Sequence, residues 1–289
     1  MSVLFSLLRT VFSPLFAALF LLSGLTASPP AAVDGLTLEN EFAYPYSEGA
    51  AFCQGLATDG EYFYGTGCIK FLNYNAIVRI DARTGEIDLC NDLCLPADVI
   101  AKGYSHLGDC AYHDGRIYAA CEAFLFKDPA VMVFDAESLA FLEYHVLPPE
   151  GQGNGHFPWL CIRDDTIYYT QAREVDEIRM LNLSDYSYKG SIKLDQTLTK
   201  ITGGDLLGDV LYLSSNSDGR EKVIYAVDLH TGETQEAFVR DTGSGATEAE
   251  GLCISRTDGA VYLHCTDIPF VSRTVIRTYR FSGTDADGA

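Results

Sequence analysis

Short apolar strands broken by glycine turns recur along the chain after residue 36, and no helical period is sustained among them. The pattern repeats five times. QGLATDGEYFYGTG leads to AIVRIDARTGEI, GDCAYHDGRIYAACE to AVMVFDAESLAF, and WLCIRDDTIYYTQA to EIRMLNLSDYSYKG. GGDLLGDVLYLSS then leads to VIYAVDLHTGET, and EGLCISRTDGAVYLHC to TVIRTYRF. Each unit opens with an apolar strand and a tight turn (Asp59-Gly60, Asp114-Gly115, Asp258-Gly259), and an aromatic strand follows. A third strand then closes on Asp81, Asp135, Asn182, Asp228 or Phe281, positions 54, 47, 46 and 53 residues apart. A period near 50 residues gives one four-stranded blade per repeat.

An outer strand is visible after the first four units. After Phe281 only SGTDADGA remains, too polar and short to be a strand. Residues 36–44 (LTLENEFAY) have no other place in the pattern, so they are expected to supply the missing outer strand. The fold class predicted is all-β: a five-bladed β-propeller over residues 36–289, closed by its N-terminal strand. A linker over 29–35 and an N-terminal helical segment over 1–28 precede it. In that segment Arg9 is the sole cation ahead of the apolar run TVFSPLFAALFLLSGL, so it reads as a cleaved secretion signal or a retained membrane anchor. With Arg9 on the cytoplasmic side, the propeller is expected outside the cytoplasm, secreted or anchored.

Charge narrows the partners. With 20 Lys+Arg against 40 Asp+Glu the formal charge is -20, which repels polyphosphate backbones and excludes nucleic acid as a partner. Hydrophobic residues at 47% with 21% charged exclude disorder. A monomer that meets membrane only through its N-terminal segment is expected. The nine cysteines show no CxxC pair and no histidine at finger spacing, so no zinc site is expected. They read either as bridged pairs (Cys90/Cys94, Cys110/Cys121, Cys253/Cys265) or as small buried strand residues. No GxSxG elbow, HExxH helix or Rossmann fingerprint appears, and GQGNGH (151–156) lacks the helix and lysine of a phosphate loop.

In a propeller the inner strands line an axial funnel, the default place for a small-molecule or peptide ligand. The residues that begin those strands are Gln54, Gly108 and Asp109, residues 156–159, Gly204 and Asp205, and residues 248–251. Asp109, Asp205, Glu248 and Glu250 are expected to gather there. Carboxylates held close raise one another's pKa or recruit a cation, which leaves calcium as an optional ligand and no other cofactor. Alternatively, an inner-strand Asp caps backbone amides. His106 and His156 stand at the same mouth as candidate proton shuttles or ligands.

Blade one and the strand ahead of it read Asn40-Glu41-Phe42, then 51–56 (AFCQGL), 64–67 (YGTG), 78–81 (VRID) and Thr84-Gly85-Glu86. On these residues the chain resembles the plant and bacterial type of glutaminyl-peptide cyclotransferase. Trp159 matches the tryptophan of that family's third blade. The resemblance implies a five-bladed propeller in which the N-terminal amine of a Gln peptide attacks its own side-chain amide and releases ammonia. It further implies a pocket walled by Phe52, Gln54 and Trp159; Asp205 and Glu250 are expected near the ligand from their places at the starts of inner strands. The family's proton-shuttling Glu falls at Gly108, which makes Asp109, one residue along, the candidate acid. Two classes of function stay open: a cyclotransferase-like enzyme, and a non-catalytic propeller that binds a protein or peptide at the cell surface.

Overall fold

The computed structural model describes residues 35–46, 52–69, 74–123, 125–269 and 273–282. The expected signal or anchor over 1–28 lies outside them. The described residues form five four-stranded antiparallel sheets. The first strand, β1 (Leu36–Pro45), stands apart from the first blade, which is β2 (Gly55–Thr58), β3 (Tyr62–Ile69), β4 (Tyr74–Asp81) and β5 (Ile87–Asn91). Blade two follows as β6 (Tyr104–His113), β7 (Arg116–Ala123), β8 (Lys127–Asp135) and β9 (Phe141–Val146), and blade three as β10 (Cys161–Arg163), β11 (Thr166–Tyr169), β12 (Val175–Asn182) and β13 (Tyr188–Leu198). Blade four is β14 (Ile201–Leu207), β15 (Val210–Ser215), β16 (Glu221–Asp228) and β17 (Thr234–Asp241). Blade five joins β18 (Thr247–Thr257), β19 (Ala260–Pro269) and β20 (Arg273–Phe281) to β1, with Leu36 opposite Phe281 and Tyr44 opposite Thr274. Two short helices, α1 (Ala97–Ala101) and α2 (Pro149–Gln152), lead into blades two and three.

The inner strands β2, β6, β10, β14 and β18 touch in sequence, and β18 returns to β2, so the five blades make a ring. Each blade is sandwiched between two others, so its middle strands are buried on both faces, as in β8 and β20. The outer strands β5 and β9 face water along much of their length. Apolar clusters fill every seam. One example is Leu107, Ile117 and Phe134 against Tyr64 and Ile77 of blade one; another is Trp159 and Ile178 against Leu211 and Leu213 of blade four. The repeated turns have one physical cause: Asp81 Oδ1 accepts the amides of Arg83 (3.0 Å) and Thr84 (2.7 Å), and Asp228 Oδ1 does the same for His230 (2.8 Å) and Thr231 (2.9 Å).

The expected local disulfides are not formed: all nine cysteines are free thiols, seven of them buried. The second reading of these residues, as small buried strand side chains, describes six of those seven, while Cys94 lies in the connection between β5 and α1. Cys110 and Cys121 pack between blades one and two, and Cys265 between blades four and five.

Candidate functional site

Asp109 lies on the propeller axis. Its Oδ1 accepts the amides of Leu56 (2.7 Å) and Cys110 (2.9 Å), and its Oδ2 that of Leu252 (3.4 Å), so one carboxylate ties blades one, two and five. Glycines make the room. A Cβ on Gly55, Gly203 or Gly251 would come within 2.9 Å of an Asp109 carboxylate oxygen. Burial pushes the Asp109 carboxyl above its ordinary range, against the pull of those amides. The candidate proton shuttle is thus a buried bracing group with both oxygens engaged.

Two further predicted residues are core. Phe52 is fully buried, edge-on to Tyr44 at 5.1 Å, and Trp159 is fully buried with its Nε1 donating to Thr170 Oγ1 at 2.9 Å. Their faces stack on the glycines of neighbouring strands, Gly65 and Gly204, leaving no ring surface for a ligand. Asp205 engages the amides of Leu206 (2.8 Å) and Ile254 (2.7 Å), and burial raises its carboxyl to about 6. It lines a small recess beside Thr58, Tyr112 and Ile162, where the inner strands run out. Glu250 is buried, whereas Glu248 is exposed on the rim. Asp205 adds to the rise of the Asp109 carboxyl, as expected of acids held near one another, but both already serve backbone donors, and the four do not gather closely enough to address one ion among the described residues.

Gln54 meets His106 where the inner strands β2 and β6 begin. Gln54 Nε2 donates to Cys53 O (2.8 Å), which turns Oε1 toward His106 Nε2 at 3.0 Å. On the other side of the ring, His106 Nδ1 meets Glu122 Oε2 at 3.1 Å. Both ring nitrogens face oxygen acceptors, and both bonds are made when each nitrogen carries a hydrogen. Glu122, on β7, is fully buried. Its Oε1 accepts the amide of Phe157 and lies 3.5 Å from His156 Nε2. A buried carboxylate requires such partners. His156 is delivered by the turn after α2. There Gly155 has φ of +87°, and a Cβ would lie 2.0 Å from Phe126 O. Phe126, exposed at the β7–β8 hairpin, lies against His156 with centroids 4.4 Å apart and ring planes tilted by 41°, an apolar wall beside the histidine.

Among the described residues, the group with ligating atoms close enough to address one ion is His106, Glu122 and His156, all within 4.8 Å of one another. Tetrahedral zinc with bonds near 2.0–2.1 Å sets its ligands about 3.4 Å apart, so the trio would have to contract to grip an ion. Two imidazoles are also foreign to the all-oxygen shell of calcium. As built, the three are joined by hydrogen bonds and close contacts through the carboxylate of Glu122. Glu122 and Phe126 were not singled out from the sequence, although an acid inside the apolar run IYAACEAF was a visible signal.

A larger cleft of about 620 Å³ opens between blades five and one, and Ser255 Oγ there is 2.8 Å from His264 Nε2. The pair is not a nucleophile and its base. Burial draws His264 down to about 3, too weak to activate a serine near neutral pH, and its Nδ1 is bonded to Thr278 Oγ1 at 2.9 Å. Because the folded value is depressed from 6.5, this group's stabilisation is full above about pH 6.5 and lost as pH falls toward 3. Asp205, raised from 3.8 to about 6, acts the opposite way, its contribution being lost as pH rises through 6. Comparing His264→Gln with the parent isolates the histidine. The stability deficit of the variant, measured by urea unfolding, should shrink by about 3 kcal/mol between pH 7 and pH 4.5. A constant deficit would contradict the assignment.

The fold and site together define a five-bladed β-propeller with a histidine–glutamate pair at its funnel mouth. Among solved structures it is similar to the glutaminyl cyclase of Myxococcus xanthus, with a TM-score of 0.57 and 11% identity over 85% of this chain and 97% of that one. It is also similar to the tail fiber of Staphylococcus aureus phage P68, with a TM-score of 0.55 and 14% identity over 87% of this chain and 54% of that one. At these identities the likeness is one of fold. No family model and no curated protein matches the chain.

Proposed function

We propose that the funnel mouth binds the N-terminus of a Gln-initiated peptide and cyclises it with release of ammonia, as the resemblance of blade one implies. In that reaction the α-amine nitrogen bonds to the side-chain amide carbon, the amide C–N bond breaks, and a proton passes from the attacking to the departing nitrogen. The observation that carries this reading is His106 held between Gln54 Oε1 and Glu122 Oε2. In its neutral form, with Nδ1–H held by Glu122, the ring carries a lone pair on Nε2 that can take a proton from the attacking nitrogen and return it to the departing one. The propeller shared with the Myxococcus glutaminyl cyclase supports it. The ring is proposed to be closed by β1 and to work as a monomer outside the cytoplasm, a setting that the apolar run over residues 10–25 supports.

Ammonia release from a Gln-initiated peptide tests this. Glu122→Gln keeps the shape but weakens the hold on His106, so kcat should fall at least about a hundredfold with KM little changed. An unchanged kcat would overturn the role of the pair. The second reading, a binding propeller without turnover, is favoured by the bracing duty of Asp109 and the buried faces of Phe52 and Trp159. Peptide binding with no ammonia release would select it.

A further inference from the structure

The same face of the propeller carries a cleft of about 480 Å³ that His156 shares with Arg173, Lys200, Lys222, Asn216 and Thr247. In a chain with twice as many acids as Lys+Arg, three cations on one cleft are a departure from composition. Asp218 and Glu248 line it too, and Asp218 pairs with Lys200. The other two cations form no ion pair among the described residues, although Lys222 feels the charges of Asp267 and Asp218. Arg173 is exposed and makes no ion pair among the described residues. Lys222 is buried at 2% exposure, where its Nζ donates to Asn216 Oδ1 (3.2 Å) and Ser217 O (2.6 Å), both neutral acceptors. An ammonium has three hydrogens, so one remains. The nearby carboxylate of Asp267 does not supply the missing partner, since Arg240 and Arg277 already hold it.

A second observation points the same way. Thr247 lines this cleft, and its Oγ1, buried just behind the surface, has no hydrogen-bond partner. A buried hydroxyl without a partner is rare in folded proteins, and a ligand acceptor would satisfy it. An ammonium with a spare hydrogen, an unpaired guanidinium and an unsatisfied hydroxyl form a donor-rich wall beside His156.

We propose that this cleft receives a carboxylate of the ligand, so that the substrate class is a short acidic peptide, charged either at its free C-terminus or on the side chain following the N-terminal residue. The inference rests on the peptide reading of the funnel mouth, and a carboxylate is the shared chemistry of its two sources. Calorimetry with Gln-Ala, Gln-Ala-amide and Gln-Glu-amide separates them. Gln-Ala tightest points to the terminal carboxylate, Gln-Glu-amide tightest to the side chain, and either should bind at least about tenfold more tightly than Gln-Ala-amide. Ala-Ala against Ala-Ala-amide repeats the comparison without the glutamine. The preference should collapse in Arg173→Gln, an exposed position that leaves folding alone, and in Lys222→Met and Thr247→Val where these fold. Equal affinity for charged and amidated peptides, no binding by any of them, or a preference untouched in Arg173→Gln would overturn the proposal. A carboxylate preference with no ammonia released would instead remove the cyclisation reading and leave the cleft standing.

Discussion

Asp109→Ala should lower the unfolding free energy by about 3 kcal/mol or more, while Asp109→Asn should retain most of it. The alanine variant leaves the amides of Leu56, Cys110 and Leu252 without their acceptor, and a buried unsatisfied donor costs about 1–3 kcal/mol. It also opens a void among Gly55, Gly203 and Gly251, whose missing side chains make space for the carboxylate. Asparagine keeps an Oδ1 for Leu56 and Cys110, the two shorter bonds, and gives up only the 3.4 Å contact to Leu252. Urea unfolding of both variants beside the parent measures the difference. Equal destabilisation by the two would contradict the bracing role.

Asp267→Asn should be as damaging, at about 3–5 kcal/mol. Asp267 is fully buried and takes a forked pair of bonds from Arg240 (2.9 and 3.1 Å) and a further one from Arg277. Burial pushes its carboxyl up, but the two guanidiniums overcome this and hold it below the ordinary carboxylate value. Removing the charge strands two buried cations in a seam where Arg240 Nε already lacks a partner. Arg277 Nε also reaches Glu41 Oε2 on β1 at 2.7 Å, so the network leads to the strand that completes blade five. Glu41 is half-exposed, and losing it alone should matter little. A thermal and urea midpoint shift equivalent to less than about 1 kcal/mol for Asp267→Asn would contradict this ranking.

The ring was legible because stacking blades buries both faces of their middle strands, which writes five similar apolar blocks into the chain. Turn chemistry, with Asp81 and Asp228 gathering local amides, was equally local and so equally readable. Asp109 was not, since two of the three amides that occupy it come from residues 53 and 143 positions away, and no local pattern reveals them. Gly55, Gly203 and Gly251 make room for it, and the reason for those glycines, a carboxylate inserted from another blade, is tertiary. Trp159 could pack or present a face at an inner-strand start, and only the position of Gly204 beneath its ring decides for packing. The two histidines and Gln54 were found at the mouth because they begin inner strands. Glu122 sits late on the second strand of its blade, where the pattern predicts only core.

The central claim is that chemistry belongs to His106 at the funnel mouth and stability to Asp109 on the axis. Ammonia release from a Gln-initiated peptide, measured for His106→Asn and Asp109→Asn in parallel, tests it most directly. The account predicts at least about a hundredfold loss in His106→Asn with its thermal midpoint kept, and near-parental turnover in Asp109→Asn. Turnover lost in Asp109→Asn and retained in His106→Asn would contradict it.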